Sequence, residues 1–156
     1  MLELIVWREL NQCKKERKSI NNFRSRIRPI VSNCEYLEDQ ISYVEHAAFD
    51  MVWMNYFLNT PATIPLELEV LAVRNEEKLT PSIAFETKNR NEKNLPSIEE
   101  CKIFMNKLDI FQKTMEQKNS MSIYGIYFSA NGFSSETETW LHDHGILTVD
   151  WETWIE

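Results

Sequence analysis

Glu86 and Lys88 stand two residues apart in the run Ile83-Ala84-Phe85-Glu86-Thr87-Lys88-Asn89. On an extended strand residues two apart share a face. A carboxylate and an ammonium would therefore project together, while Ile83, Phe85 and Thr87 face the other layer. Such a pair can be a plain salt bridge. It is also what metal-assisted phosphodiester hydrolysis requires, with the carboxylate holding Mg²⁺ (or Mn²⁺) and the lysine positioning the attacking water or stabilising the transition state. That chemistry needs a second carboxylate from a neighbouring strand. Glu69, in Leu66-Glu67-Leu68-Glu69-Val70-Leu71-Ala72-Val73, meets the need if residues 74–81 form a hairpin turn, and Glu67 competes with it on the same face.

The spelling Glu-x-Lys carries little by itself, because it occurs at Glu16/Lys18, Glu76/Lys78, Glu86/Lys88, Glu100/Lys102 and Glu116/Lys118. Four of these fall in helical or polar-turn sequence, where they read as surface charge pairs. Only Glu86/Lys88 ends an apolar run. Burying two ionisable groups there costs stability and calls for a function.

The elements that would hold these groups follow from periodicity. Residues 1–28 read as helical, with Leu2, Ile5, Val6 and Leu10 on one face, until Pro29 interrupts. A second helix is expected over 35–58, where Leu37, Ile41, Val44, Ala48 and Val52 recur at three or four residues, and Asn59-Thr60-Pro61 stops it. The period then changes to that of strands over 65–73 and 82–87. A helix is expected over 97–118, capped by Ser97 with Glu99 and Glu100 in its first turn. A strand over 122–128, a short helix from Ser134 to His144 ended by Gly145, a strand over 146–149 and an Asp150-capped terminal turn complete the chain. The expected class is α/β, a mixed sheet with helices covering it.

A chain of 156 residues with 43% hydrophobic content supports one domain with a real core. No apolar run is long enough to cross a membrane, and the first residues carry an early acid with no basic flank, unlike a signal peptide. Three cysteines in no metal-ligand spacing suit a reducing, cytoplasmic protein. Only three glycines occur, so no Gly-rich phosphate loop is available. Net charge is −7, yet residues 1–34 hold eight of the 17 bases and three of the 24 acids. That basic helical arm, with Arg24, Arg26 and Arg28 at its end, is the expected contact to a nucleic-acid backbone. His142 and His144 are expected to favour a helix C-terminus rather than bind metal. Trp140, Trp151 and Trp154 are expected to be packing residues.

The Glu69 strand, a turn and the Glu86/Lys88 strand together resemble the core of the restriction-endonuclease-like, PD-(D/E)XK nuclease superfamily. The later run Tyr124-Gly125-Ile126-Tyr127-Phe128-Ser129-Ala130-Asn131-Gly132-Phe133-Ser134, followed by a helix and His144-Gly145-Ile146-Leu147-Thr148-Val149-Asp150, is similar to the ending of Mrr-like endonuclease domains and of nuclease-like domains fused to ATPases. The resemblance spans about residues 40–156. It implies an αβββαβ core over 35–156 behind an extra helical N-terminal segment. It also implies a Mg²⁺- or Mn²⁺-dependent endonuclease acting on DNA, with Glu69 and Glu86 as metal ligands, Lys88 as the catalytic base-side lysine, and a homo-oligomer wherever both strands are cut. The family commonly adds a helix glutamate. Glu45 matches best, Glu3 is the second candidate, and His46 is a possible supplementary ligand as in the cap-snatching branch. Two departures stand out: Glu69 occupies a position that is usually Asp, and the body is acidic. The alternative reading is a nuclease-like module that binds without cutting.

Overall fold

A computed structural model describes residues 2–32, 34–58, 66–73, 82–89, 94–116 and 123–155. Its elements are α1 (Leu2–Glu16), α2 (Phe23–Arg26), α3 (Glu35–His46), β1 (Met51–Leu58), β2 (Leu66–Val73), β3 (Ser82–Lys88), α4 (Ile98–Glu116), β4 (Ile123–Ser129), α5 (Ser135–Asp143), β5 (Leu147–Val149) and α6 (Trp151–Trp154). The five strands form one mixed sheet in the order β1-β2-β3-β4-β5. The first three are antiparallel neighbours, and β3, β4 and β5 run parallel. The class is α/β with helices on both faces, as expected. No described helix is long and apolar enough to cross a membrane. The expected turn at 74–81 and the stop at 59–61 lie outside the described residues.

Two expectations about elements need correction. The helix expected over 35–58 is a helix only to His46; residues Met51–Leu58 are the edge strand β1. The helical spacing of Leu37, Ile41 and Val44 ends at Ala47, whose backbone is extended (φ −84°, ψ 130°), and the Asp50 N–H then bonds the Val73 carbonyl. From there Val52, Trp53, Tyr56 and Phe57 are β-branched or aromatic, types that gain more on a pleated surface than in a helix. Asn55 takes a left-handed conformation (φ 54°), and the Trp53 and Tyr56 rings meet 5.2 Å apart. The helix expected over 1–28 likewise breaks at Glu16. Arg17 turns left-handed (φ 54°), Lys18 N–H bonds the Cys13 carbonyl and Arg17 N–H that of Lys14, which is a Schellman closure.

The sheet divides the core in two. On one face Leu2, Val6, Leu10 and Cys13 of α1, Phe23 of α2 and Leu37, Ile41 and Val44 of α3 pack with Val70, Ala72, Ile83, Phe85, Ile126 and Phe128. On the other, Cys101, Phe104, Leu108 and Phe111 of α4 and Leu141 of α5 cover Leu71, Ala84 and Tyr127. Gly125 lets α4 settle on β4. A Cβ there would lie 2.5 Å from Leu108 Cδ1 and 3.0 Å from the Phe104 ring. Residues 2–32 thus belong to the same core as the sheet and are not a detached arm.

Polar groups tie the two ends of the chain together. Arg28 forks onto Glu138 of α5 and reaches Asp150, whose side chain also caps α6 by accepting the Thr153 N–H at 2.7 Å. Thr148 donates to Glu138 at 2.9 Å, and His142 Nε2 meets the same hydroxyl at 2.8 Å. Since His142 Nδ1 accepts the Val31 N–H at 3.1 Å, its proton sits on Nε2. Burial pushes the His142 imidazole below its ordinary pKa, so it is neutral and structural. Glu138 and Asp150 are both under a tenth exposed. Arg28→Ala would strand two buried carboxylates and is expected to cost about 3 kcal/mol in urea unfolding. Adding Glu138→Gln should recover part of that loss; purely additive costs would show that the cluster is not electrostatic.

Candidate active site

β3 is the central strand, and Ser82 through Thr87 are buried on it while Lys88 is half-buried at its end. Alternation sends Glu86 and Lys88 toward α4 and Thr87 toward α1. Their neighbours agree. Glu86 Oε2 lies 3.6 Å from Lys107 Nζ and Lys88 Nζ lies 4.0 Å from Glu100 Oε2, both partners being on α4. On the opposite face the Thr87 hydroxyl lies 3.3 Å from Glu3 Oε2 of α1.

Glu69 joins the two sides. The registered pairs of β2 with β3 run from Ala72↔Ile83 to Val70↔Phe85. Directly beyond them, Glu69 Oε2 accepts the Thr87 N–H at 2.8 Å and the Thr87 hydroxyl at 2.5 Å, so a side chain satisfies the backbone group that a neighbouring strand would otherwise pair. The Glu69 carboxylate is also within hydrogen-bonding reach of Glu86. Glu86 is 5% exposed. Its carboxyl is pushed up to about 7, by burial first and then by the Glu69 charge and hydrogen bond, against the opposing charges of Lys107 and Lys88. In chemical terms, a buried carboxyl lies beside a half-buried carboxylate, and Glu86 tends to keep its proton toward neutrality unless a cation replaces it.

Among the described residues no group of three His, Cys, Asp or Glu side chains converges as a metal site. Two carboxylates nevertheless suit Mg²⁺, which keeps several waters and commonly takes one or two protein carboxylates. The oxygen-only donor set and the raised Glu86 carboxyl fit a hard divalent cation.

Other residues singled out from the sequence lie elsewhere. Glu45 is not beside Glu69 and Glu86: its Oε1 holds Arg24 Nε at 2.9 Å and Nη2 at 2.6 Å, across the α2–α3 contact. A helix carboxylate that does reach the Thr87 end of β3 is Glu3, because α1 lies there. His46 keeps its ring on the Ser42 carbonyl of its own helix at 2.9 Å. Glu67 is half-buried opposite Phe57.

The arginines expected to grip a backbone are largely consumed inside the fold. Arg26 forks onto both Glu9 oxygens, donates to the Trp154 carbonyl at 2.9 Å and stacks 3.9 Å over the Trp154 ring. Arg28 is held by Glu138 and Asp150. Arg24 alone of the three is exposed, and it bridges Glu38 and Glu45. Two of the three arginines are therefore spent on internal pairs, because Glu9 of α1, Glu138 of α5 and Asp150 fold against them.

From the sequence alone Lys107 has no assigned role, and Glu100 has only a place in the first turn of its helix. The signal was present: Lys107 sits within the apolar spacing Cys101, Phe104, Leu108, Phe111, where a charged side chain is out of place.

No protein-family model matches this chain, and no curated protein matches it. A similar fold occurs in the crystal structure of a protein of unknown function, AF1548, at a TM-score of 0.52 and 18% sequence identity. The match covers 75% of this chain and 58% of that one, so the chain spans somewhat more than half the length of AF1548. At this identity the likeness concerns the fold alone.

Glu86 makes stability depend on pH with a definite sign. Its folded pKa, about 7, is above the ordinary 4.5. Its contribution is therefore fully present below about 4.5 and is lost as pH rises through 7. In EDTA, wild type should lose on the order of 3 kcal/mol relative to Glu86→Gln between pH 4.5 and 8. Parallel stability curves for the two proteins would refute a raised Glu86.

Proposed function

We propose that this chain is a Mg²⁺- or Mn²⁺-dependent endonuclease hydrolysing phosphodiester bonds in DNA, related to the restriction-endonuclease-like superfamily. The observation that carries the reading is the meeting of Glu69 and Glu86, from adjacent antiparallel strands, with Glu86 buried and held near neutrality beside two lysines. A structural ion pair would not set a half-buried carboxylate against a buried one. A site that awaits a divalent cation would.

A cation held by Glu69 and Glu86 would supply Lewis-acid stabilisation of phosphate charge and a more acidic water. Glu69 is oriented for this by Thr87, which fixes its Oε2 through two hydrogen bonds. Glu86 must surrender its proton as it takes up the cation, so binding strengthens with rising pH up to about 7. Lys88 stands at the exit of β3, about a quarter exposed and only loosely held by Glu100 at 4.0 Å. From there its ammonium can orient the attacking water and stabilise charge on the phosphate. Three free cysteines, Cys13, Cys34 and Cys101, agree with a reducing cytoplasmic setting. One such site cuts one strand, so cleavage of both strands calls for a homo-oligomer.

A second reading has its own support. Glu69 Oε2 is already engaged by Thr87, and no third carboxylate completes a ligand set among the described residues. A module of this fold that binds nucleic acid without cutting it would show the same arrangement.

Nicking of supercoiled plasmid separates the two. With Mg²⁺ or Mn²⁺ the wild type should nick and EDTA should stop it. Glu69→Gln and Glu86→Gln should each lower the rate at least about 100-fold, and Lys88→Ala by a similar factor. Equal rates for wild type and Lys88→Ala would end the catalytic assignment. DNA binding without metal-dependent nicking would favour the module.

A further inference from the structure

Lys88 is the lysine that the strand motif points to, yet among the described residues the ammonium paired with Glu86 comes from another element. Lys107 Nζ lies 3.6 Å from Glu86 Oε2, whereas Lys88 is turned to Glu100 at 4.0 Å. The two pairs cross between sheet and helix: the strand carboxylate meets the helix lysine, and the strand lysine meets the helix carboxylate. Phe104 and Leu108 anchor α4 against Gly125, so the Lys107 backbone is held at a set height above Glu86. Its side chain remains about a quarter exposed, against 6% for that of Glu86. Lys107 therefore lies at the rim of the site with Glu86 beneath it.

Resting on the nuclease reading, we propose that Lys107 is a phosphate-binding residue of this site, which neutralises Glu86 in the free protein and turns to a substrate phosphate once a divalent cation occupies Glu69 and Glu86. The physical reason is charge balance. A cation on Glu86 takes over the neutralisation that Lys107 provides, and two positive groups on one carboxylate repel each other. The ammonium is then free, about a quarter exposed and adjacent to the metal position, where an anionic phosphate oxygen would give it a charge-assisted hydrogen bond. Glu100 keeps Lys88 apart, so the two lysines do not compete for one position.

Lys107→Met and Lys107→Arg test this beside the wild type. Mn²⁺ uptake without DNA is measured by calorimetry, binding of a short labelled DNA duplex in Ca²⁺ by anisotropy, and plasmid nicking for KM and kcat. Lys107→Met should weaken duplex binding and raise KM by about tenfold, with Mn²⁺ uptake unchanged or tighter, and Lys107→Arg should restore most of the binding. Unchanged duplex affinity and KM in Lys107→Met, with Mn²⁺ still bound, would overturn the role of Lys107 alone. Loss of Mn²⁺ uptake in Lys107→Met with duplex binding intact would make it a support for Glu86 and overturn the proposal equally. Wild type that takes up no Mn²⁺ would overturn the nuclease reading, and Lys107's role with it.

Discussion

Two carboxylates held together under a helix are the constraint around which this structure is arranged. Glu86 is buried beside the half-buried Glu69, so charging both is costly unless something positive joins them. In the free protein that role is divided between a retained proton and Lys107. The surroundings keep the pair from relaxing. Glu86 is carried by the central strand, with β2 and β4 on either side and α4 above it. Glu69 is tied to Thr87 on the same strand. Glu86 is thus buried, while Glu69, half-buried, is fixed by its two bonds to Thr87.

The rest of the fold serves to close the sheet around that position. Antiparallel β2 places Glu69 beside β3, and parallel β4 supports β3 along its whole length, from Ser82↔Ile123 to Lys88↔Ser129. The N-terminal helices are part of this closure rather than an appendage. α1 brings Glu3 against Thr87, and the segment after α2 brings Arg28 to Glu138 and Asp150. The chain ends are thereby locked to each other through a buried ion cluster with His142 and Thr148 behind it.

Sequence reasoning reached the strands that matter because their signals are local. β3 carries the apolar run Ile83-Ala84-Phe85 flanked by polar residues, and helices α4 and α5 have capping residues and apolar stripes. Ser134 accepts the Thr137 N–H and Asp150 closes a capping box, as their types imply. β1 was misread because Val52 and Ala48 continue the helical spacing of α3 by coincidence. Nothing in residues 47–50 announces the extended turn that tertiary pairing with Val73 imposes.

By itself the sequence determined that a carboxylate and a lysine would share one face at the end of a buried strand, since alternation allows no other outcome. It also determined that a glutamate-bearing strand would precede it. Which helix supplies the nearby acid, which lysine touches Glu86 and where the basic residues go were decided by the tertiary structure alone. Those are contacts between Glu3 and Thr87, Lys107 and Glu86, and Arg28 and Glu138, across 84, 21 and 110 residues of chain. Local pattern sets the direction in which a side chain points, but only packing sets what it meets.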